Sequence, residues 1–80
     1  MAKDSNIVHR YFKKKFEHAI IMVKVNPILF KGVELTILPN GTIEQRELAF
    51  DGAIWDDLNA DGFEEGSALE FNLYYSGLVQ

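Results

Sequence analysis

The apolar positions change their spacing several times along the chain, and each change predicts a different element. Ile7, Val8, Tyr11, Phe12, Phe16 and Ala19 fall within one arc of about 180° when the chain is wound at 100° per residue. His9, Arg10, Lys13, Lys14 and Glu17 take the other side, and Lys15 lands inside the apolar arc, where it must snorkel or sit near the helix end. Asp4 or Ser5 stands where a helix cap belongs. The spacing predicts a helix over about 6–18, with an extended segment as the alternative; neither alternate set of positions is cleanly apolar.

From Ala19 the chain turns β-branched, and Ala19-Ile20-Ile21-Met22-Val23-Lys24-Val25 predicts a strand that Asn26-Pro27 ends. Ile28-Leu29-Phe30 follows as a short extended piece, and Lys31-Gly32 permits a bend. Val33, Leu35 and Ile37 alternate with Glu34 and Thr36, the pattern of a half-buried strand over 33–38. Asn40-Gly41 tolerates the positive φ of a tight turn, which predicts a hairpin onto a strand over about 42–50. The polar centre of that arm, Glu44-Gln45-Arg46-Glu47, suits an outer position.

Asp51 is placed to cap a short helix over about 52–60, with Ile54, Trp55 and Leu58 inward and Gly62 as its stop. Glu64-Glu65-Gly66-Ser67 reads as a connection. Leu69, Phe71, Leu73 and Tyr75 then alternate with Glu70, Asn72 and Tyr74, predicting a last strand over 68–75. The expected architecture is one α+β domain, residues 1–80: a small, mostly antiparallel sheet of three to four strands with two helices packed on one face.

Composition adds constraints. In 80 residues, 48% hydrophobic with six phenylalanines, there is material for one core and no surplus for a second domain. The absence of cysteine removes disulfides and thiolate metal sites. The longest aliphatic run, Ala19 to Val23, is too short to span a bilayer, and Met-Ala-Lys-Asp-Ser-Asn is unlike a signal peptide. A cytoplasmic location without a membrane partner is expected, and Asn40-Gly41-Thr42 is read as a turn rather than a glycosylation site.

The net charge of −4 hides a division. Residues 1–31 carry Lys3, Arg10, Lys13, Lys14, Lys15, Lys24 and Lys31 against Asp4 and Glu17; of the bases, only Arg46 lies beyond residue 31, where the remaining acids are found. The two halves either neutralise each other within one molecule or offer a handle to a partner.

Motifs for chemistry are few. Asp57, Asn59, Asp61 and Gly62 match the first half of an EF-hand loop, but the closing carboxylate position holds Ala68. His9 and His18, nine residues apart, point to opposite sides of a helix and share no metal. Ser5, Ser67 and Ser76 sit in no nucleophile elbow, and the glycines form no phosphate loop. Asp56/Asp57 and Glu64/Glu65 are adjacent carboxylates, which diverge on a helix or a turn. No cofactor is expected, and no enzymatic role.

Arg10, Lys13 and Lys14 interleave with Tyr11, Phe12 and Phe16, which suits an anionic ligand or a nucleic acid if the bases share an exposed face. Ile28, Leu29, Phe30, Tyr74 and the pair Leu78-Val79 are apolar positions without an evident place in the core. The sequence therefore favours a small non-enzymatic protein-interaction module that self-associates, its partner being itself or another protein, with a possible homodimer. Anion or nucleic-acid binding is the alternative, and a calcium-responsive element at Asp57–Asp61 a further one.

Overall fold

A computed structural model describes residues 8–75. The proposed caps Asp4 and Ser5, residues 6 and 7 of the proposed N-terminal helix, and Leu78-Val79 lie outside the described residues. The elements in order are β1 (Arg10–Lys15), β2 (Ile20–Asn26), β3 (Lys31–Ile37), β4 (Ile43–Ala49), α1 (Ile54–Ala60), β5 (Glu64–Glu65) and α2 (Ala68–Tyr75). The α+β class holds, but the sheet has five antiparallel strands in the order β4-β3-β2-β1-β5, where three to four were expected.

Two expected elements change type. The segment predicted as a helix over 6–18 instead contributes β1 at Arg10–Lys15, paired with β2 from Arg10↔Val25 to Lys15↔Ile20. Its alternation is hidden because both faces of the strand meet a core. Phe12 packs with Val23, Val25, Ile54 and Leu58 on one side. Tyr11, its neighbour, packs with Met22, Leu35 and Phe71 on the other. With the only two apolar residues of β1 adjacent and each turned to a different core, the two-residue period of a half-buried strand is lost.

The segment predicted as a strand over 68–75 is the helix α2. Its start is set by Ser67, whose hydroxyl oxygen accepts a hydrogen bond from the Glu70 amide (3.2 Å), and the first backbone bond runs from Phe71 to the Ser67 carbonyl (3.0 Å). That is the N-cap arrangement in which a side-chain oxygen takes up an orphan amide.

The helices lie on opposite faces of the sheet, not on one. α1 rests its buried Ile54 and Leu58 against Phe12, Val23 and Val25. α2 places Phe71, 1% exposed, on Met22 and Leu35. The core is therefore divided by the sheet, with β2 feeding both halves through Val23 and Val25 on one face and Met22 on the other.

The termini of α1 follow local chemistry. Asp51 does not cap the helix itself: its carboxylate accepts from the Ala53 amide (2.9 Å) in the turn before it, and Ala53 holds the cap position. At the far end Gly62 takes φ 86, the Phe63 amide donates to the Leu58 carbonyl (2.9 Å), and the Gly62 amide donates to Asn59 (3.1 Å). These paired bonds are a Schellman stop, which needs the left-handed conformation that glycine supplies.

Residues 27–30 are not an extended piece but the turn of the β2–β3 hairpin, and Lys31-Gly32 lies within β3. Asn26 organises the turn, since its side-chain oxygen accepts from the amides of Ile28 (2.8 Å) and Leu29 (3.0 Å). Asn26→Ala leaves those amides to water and is expected to cost about 1 kcal/mol. Thermal melting should show it as a fall of roughly 4–8 °C.

Candidate interaction surfaces

The three bases proposed as an anion site do not share a surface. Arg10 and Lys14 project to the α1 face and Lys13 to the α2 face, as strand alternation requires. Each has a partner from the C-terminal half of the chain. Arg10 donates to the Glu65 carboxylate at 2.7 Å, and its guanidinium lies over the rings of Phe12 (5.4 Å) and Trp55 (5.1 Å). Lys13 reaches both oxygens of Glu70 at 3.0 and 3.1 Å. Lys14 donates to the Asp61 carbonyl, at the C-terminus of α1, and sits 4.7 Å from the Phe16 ring.

A cation near the last carbonyls of a helix is favoured by the helix dipole. The division of charge seen in the sequence is thus used inside the molecule, where the first strand binds β5, α1 and α2. As exposed or half-exposed pairs these contribute about 0–1 kcal/mol each. Their larger effect is to fix which segments meet.

The calcium-loop residues do not converge. Asp57 and Asn59 belong to α1, so their side chains leave the axis about 200° apart. Asp61 follows at the C-cap, and Leu58 between them is buried. Asn59 instead borders a small cleft with Arg10, Trp55, Phe63 and Glu65. His9 and His18 flank β1 at opposite ends, with His18 Nε2 3.8 Å from Glu17 in the β1–β2 turn.

Of the four apolar candidates among the described residues, two pack against the core. Phe30 holds φ 54, a left-handed conformation rare for a bulky residue, while its ring packs 6.2 Å from that of Trp55. Tyr74 packs against the Phe71 cluster. Ile28 and Leu29 are 68% and 62% exposed at the tip of the turn. Val8 lies at the same end, two residues before Arg10, which faces Val25. The sequence reading missed Leu69, 73% exposed on the outer side of α2, because a strand placed it inward with Phe71.

An open groove of about 490 Å³ on the α2 side is bordered by His9, Lys24, Lys31, Val33 and Glu47. Its lining holds neither a hydroxyl nor a thiol, so it presents no serine, threonine or cysteine nucleophile. Lys24 directs its ammonium toward the Tyr75 ring, 5.9 Å away.

The two edges of the sheet differ. β5 covers β1 at Phe12 and Lys13, and the Gly66 amide extends that cover by donating to the Tyr11 carbonyl (2.7 Å). β4 has β3 on one side and, among the described residues, no strand on the other. Its pairing with β3 runs unbroken from Ile37↔Ile43 to Lys31↔Ala49, without a bulge. It contains no proline and no lysine, the residues that most often block such edges.

Among the described residues no helix is long and apolar enough to cross a membrane. The chain matches no protein-family model, and no curated protein or solved structure is significantly similar to it.

Proposed function

We propose that this chain is a small non-enzymatic protein-interaction module that associates with itself. The observation that carries this reading is the edge of β4, seven residues long, regular in register and, among the described residues, without a strand beyond it. An edge strand presents a row of backbone donors and acceptors that another strand can satisfy, and such strand addition is a common mode of protein recognition. The exposed aliphatic pair Ile28 and Leu29, at the β2–β3 turn, lies apart from that edge and offers apolar surface to another protein.

The basic residues that favoured an anionic ligand are occupied by Glu65, Glu70 and the end of α1, which leaves the protein-contact reading the stronger. The test is sedimentation equilibrium up to millimolar protein at low and high salt. The expected result is a reversible rise in mass with concentration. A monomer throughout would sink self-association.

A further inference from the structure

The edge of β4 is self-complementary in one register, and this deepens the self-association reading, on which it rests. The Leu38 amide donates to Thr42 and the Phe50 amide to Phe30, each at a pair of the β3–β4 ladder. In an antiparallel ladder, hydrogen-bonded and non-hydrogen-bonded pairs alternate. Thr42, Glu44, Arg46, Leu48 and Phe50 therefore turn their backbone groups toward β3. Ile43, Gln45, Glu47 and Ala49 turn theirs outward, to the open edge.

A second copy adding antiparallel through a two-fold axis keeps each residue on its own face of the joined sheet. Residues of like parity then meet, and the axis passes through one of them. Axes through Ile43, Leu48 or Ala49 join only the end residues of β4, and among the central positions side chains choose. An axis through Arg46 sets two guanidinium groups opposite each other, and an axis through Glu44 or Glu47 sets two carboxylates opposite each other. An axis through Gln45 pairs Glu44 with Arg46 of the second copy, twice. Opposite charges directly across a sheet are favourable and like charges are not.

The same face adds a further complement. Arg46 already donates to Glu34 on β3 at 2.9 Å. In the Gln45 register it lies between Glu34 of its own chain and Glu44 of the second copy, a carboxylate on each side of one guanidinium. Among the described residues no helix covers that region of the sheet, since α1 packs over β1 and β2 residues and α2 lies on the opposite face.

We infer that two copies of this chain join edge to edge through β4, antiparallel about Gln45, with Glu44 of each copy against Arg46 of the other. The Gln45 amides exchange hydrogen bonds at the axis, and Ile43 pairs with Glu47 on either side. The seam is narrow beside the roughly 1,600 Å² of a standard stable interface, so the association is weak. Ile28 and Leu29, at the turn beyond β3, stay outside it.

The absence of cysteine from the chain makes a direct test simple. Glu44→Cys and Arg46→Cys variants are prepared separately, then oxidised alone and as a mixture, with Asn72→Cys on α2 setting the collisional background. Cross-strand residues at a non-hydrogen-bonded site lie about 4.5 Å apart at Cα, within disulfide reach. The mixture should give cross-linked dimer at several times the background and each variant alone should not.

Gln45→Pro removes an amide that points to solvent in the monomer, so the fold is retained, and it should weaken association roughly tenfold or more. Ile28→Ser with Leu29→Ser should leave association unchanged. Cross-linking of Arg46→Cys alone or Glu44→Cys alone would overturn the register. A dimer by sedimentation that neither cross-links in the mixture nor responds to Gln45→Pro would overturn the seam while leaving self-association intact. A strict monomer would remove both.

Discussion

Replacing Phe71 by alanine should lower the free energy of unfolding by about 3–5 kcal/mol. Phe71 is 1% exposed and lies among Met22 and Leu35, with the rings of Tyr11 and Tyr75 each centred 5.5 Å away. α2 is eight residues long, too short to persist without docking. Phe71 is its buried residue, so the helix and its cover on the sheet depend on one side chain. A domain of this length has on the order of 4–12 kcal/mol in total, so the variant approaches its unfolding midpoint in water.

Urea unfolding followed by far-UV circular dichroism measures the loss. The single tryptophan, Trp55, reports separately from the opposite face. Coincident transitions by both probes are expected, because β2 belongs to both halves of the core. Leu69→Ala, at a side chain 73% exposed on the same helix, should change stability by less than about 0.5 kcal/mol.

The second large effect is expected at Gly32. A Cβ built there would collide with the backbone carbonyl oxygen of Lys24 and lie 2.9 Å from the Phe50 ring. The carbonyl belongs to β2 and has no room to yield without disturbing the ladder. Glycine within a strand often marks such a close approach. Gly32→Ala should therefore destabilise by on the order of 3 kcal/mol, the upper range for overpacking. Thermal melting should register a fall of roughly 10–20 °C. Gly52→Ala is the matched control, since a Cβ at that position would have nothing within 4 Å of it. Lowered unfolded-state entropy should make that change neutral or slightly stabilising.

The β3–β4 hairpin was legible because its arms are simple: one side of β3 alternates cleanly, and Asn40-Gly41 marks the turn. β1 was not, since Tyr11 and Phe12 are adjacent and each is needed by a different core. Periodicity measures how many faces are buried as well as which element is formed, and a strand between two helices loses its alternation. α2 failed for the converse reason. With Leu69, Phe71, Leu73, Tyr74 and Tyr75 in eight residues, apolar side chains occur on every side, and either period can be fitted.

A signal for α2 was present. Ser67 followed by Glu70 has the spacing of a capping box, and the hydroxyl does bind the Glu70 amide, although the Glu70 carboxylate turns to Lys13. The two-residue β5 had none, because its place depends on the distant β1 and the Arg10–Glu65 pair. Of the surface candidates, the exposure of Ile28 and Leu29 followed from the lack of a periodic partner. The fate of Arg10, Lys13 and Lys14 required knowing where the acidic half returns.

Strand order also bears on the time course of folding. β1 to β4 are neighbours in the sheet in the same order as in the chain, so each pairing closes only a short loop. Contacts of this kind form early and fast, whereas β5 and α2 must come back across the molecule to β1. Without α1 and α2 the four-stranded meander has both of its apolar faces bare. The segments after β4 thus act as its closure, and a chain cut short after β4 would be a sheet open on both sides, a species suited to chaperone capture.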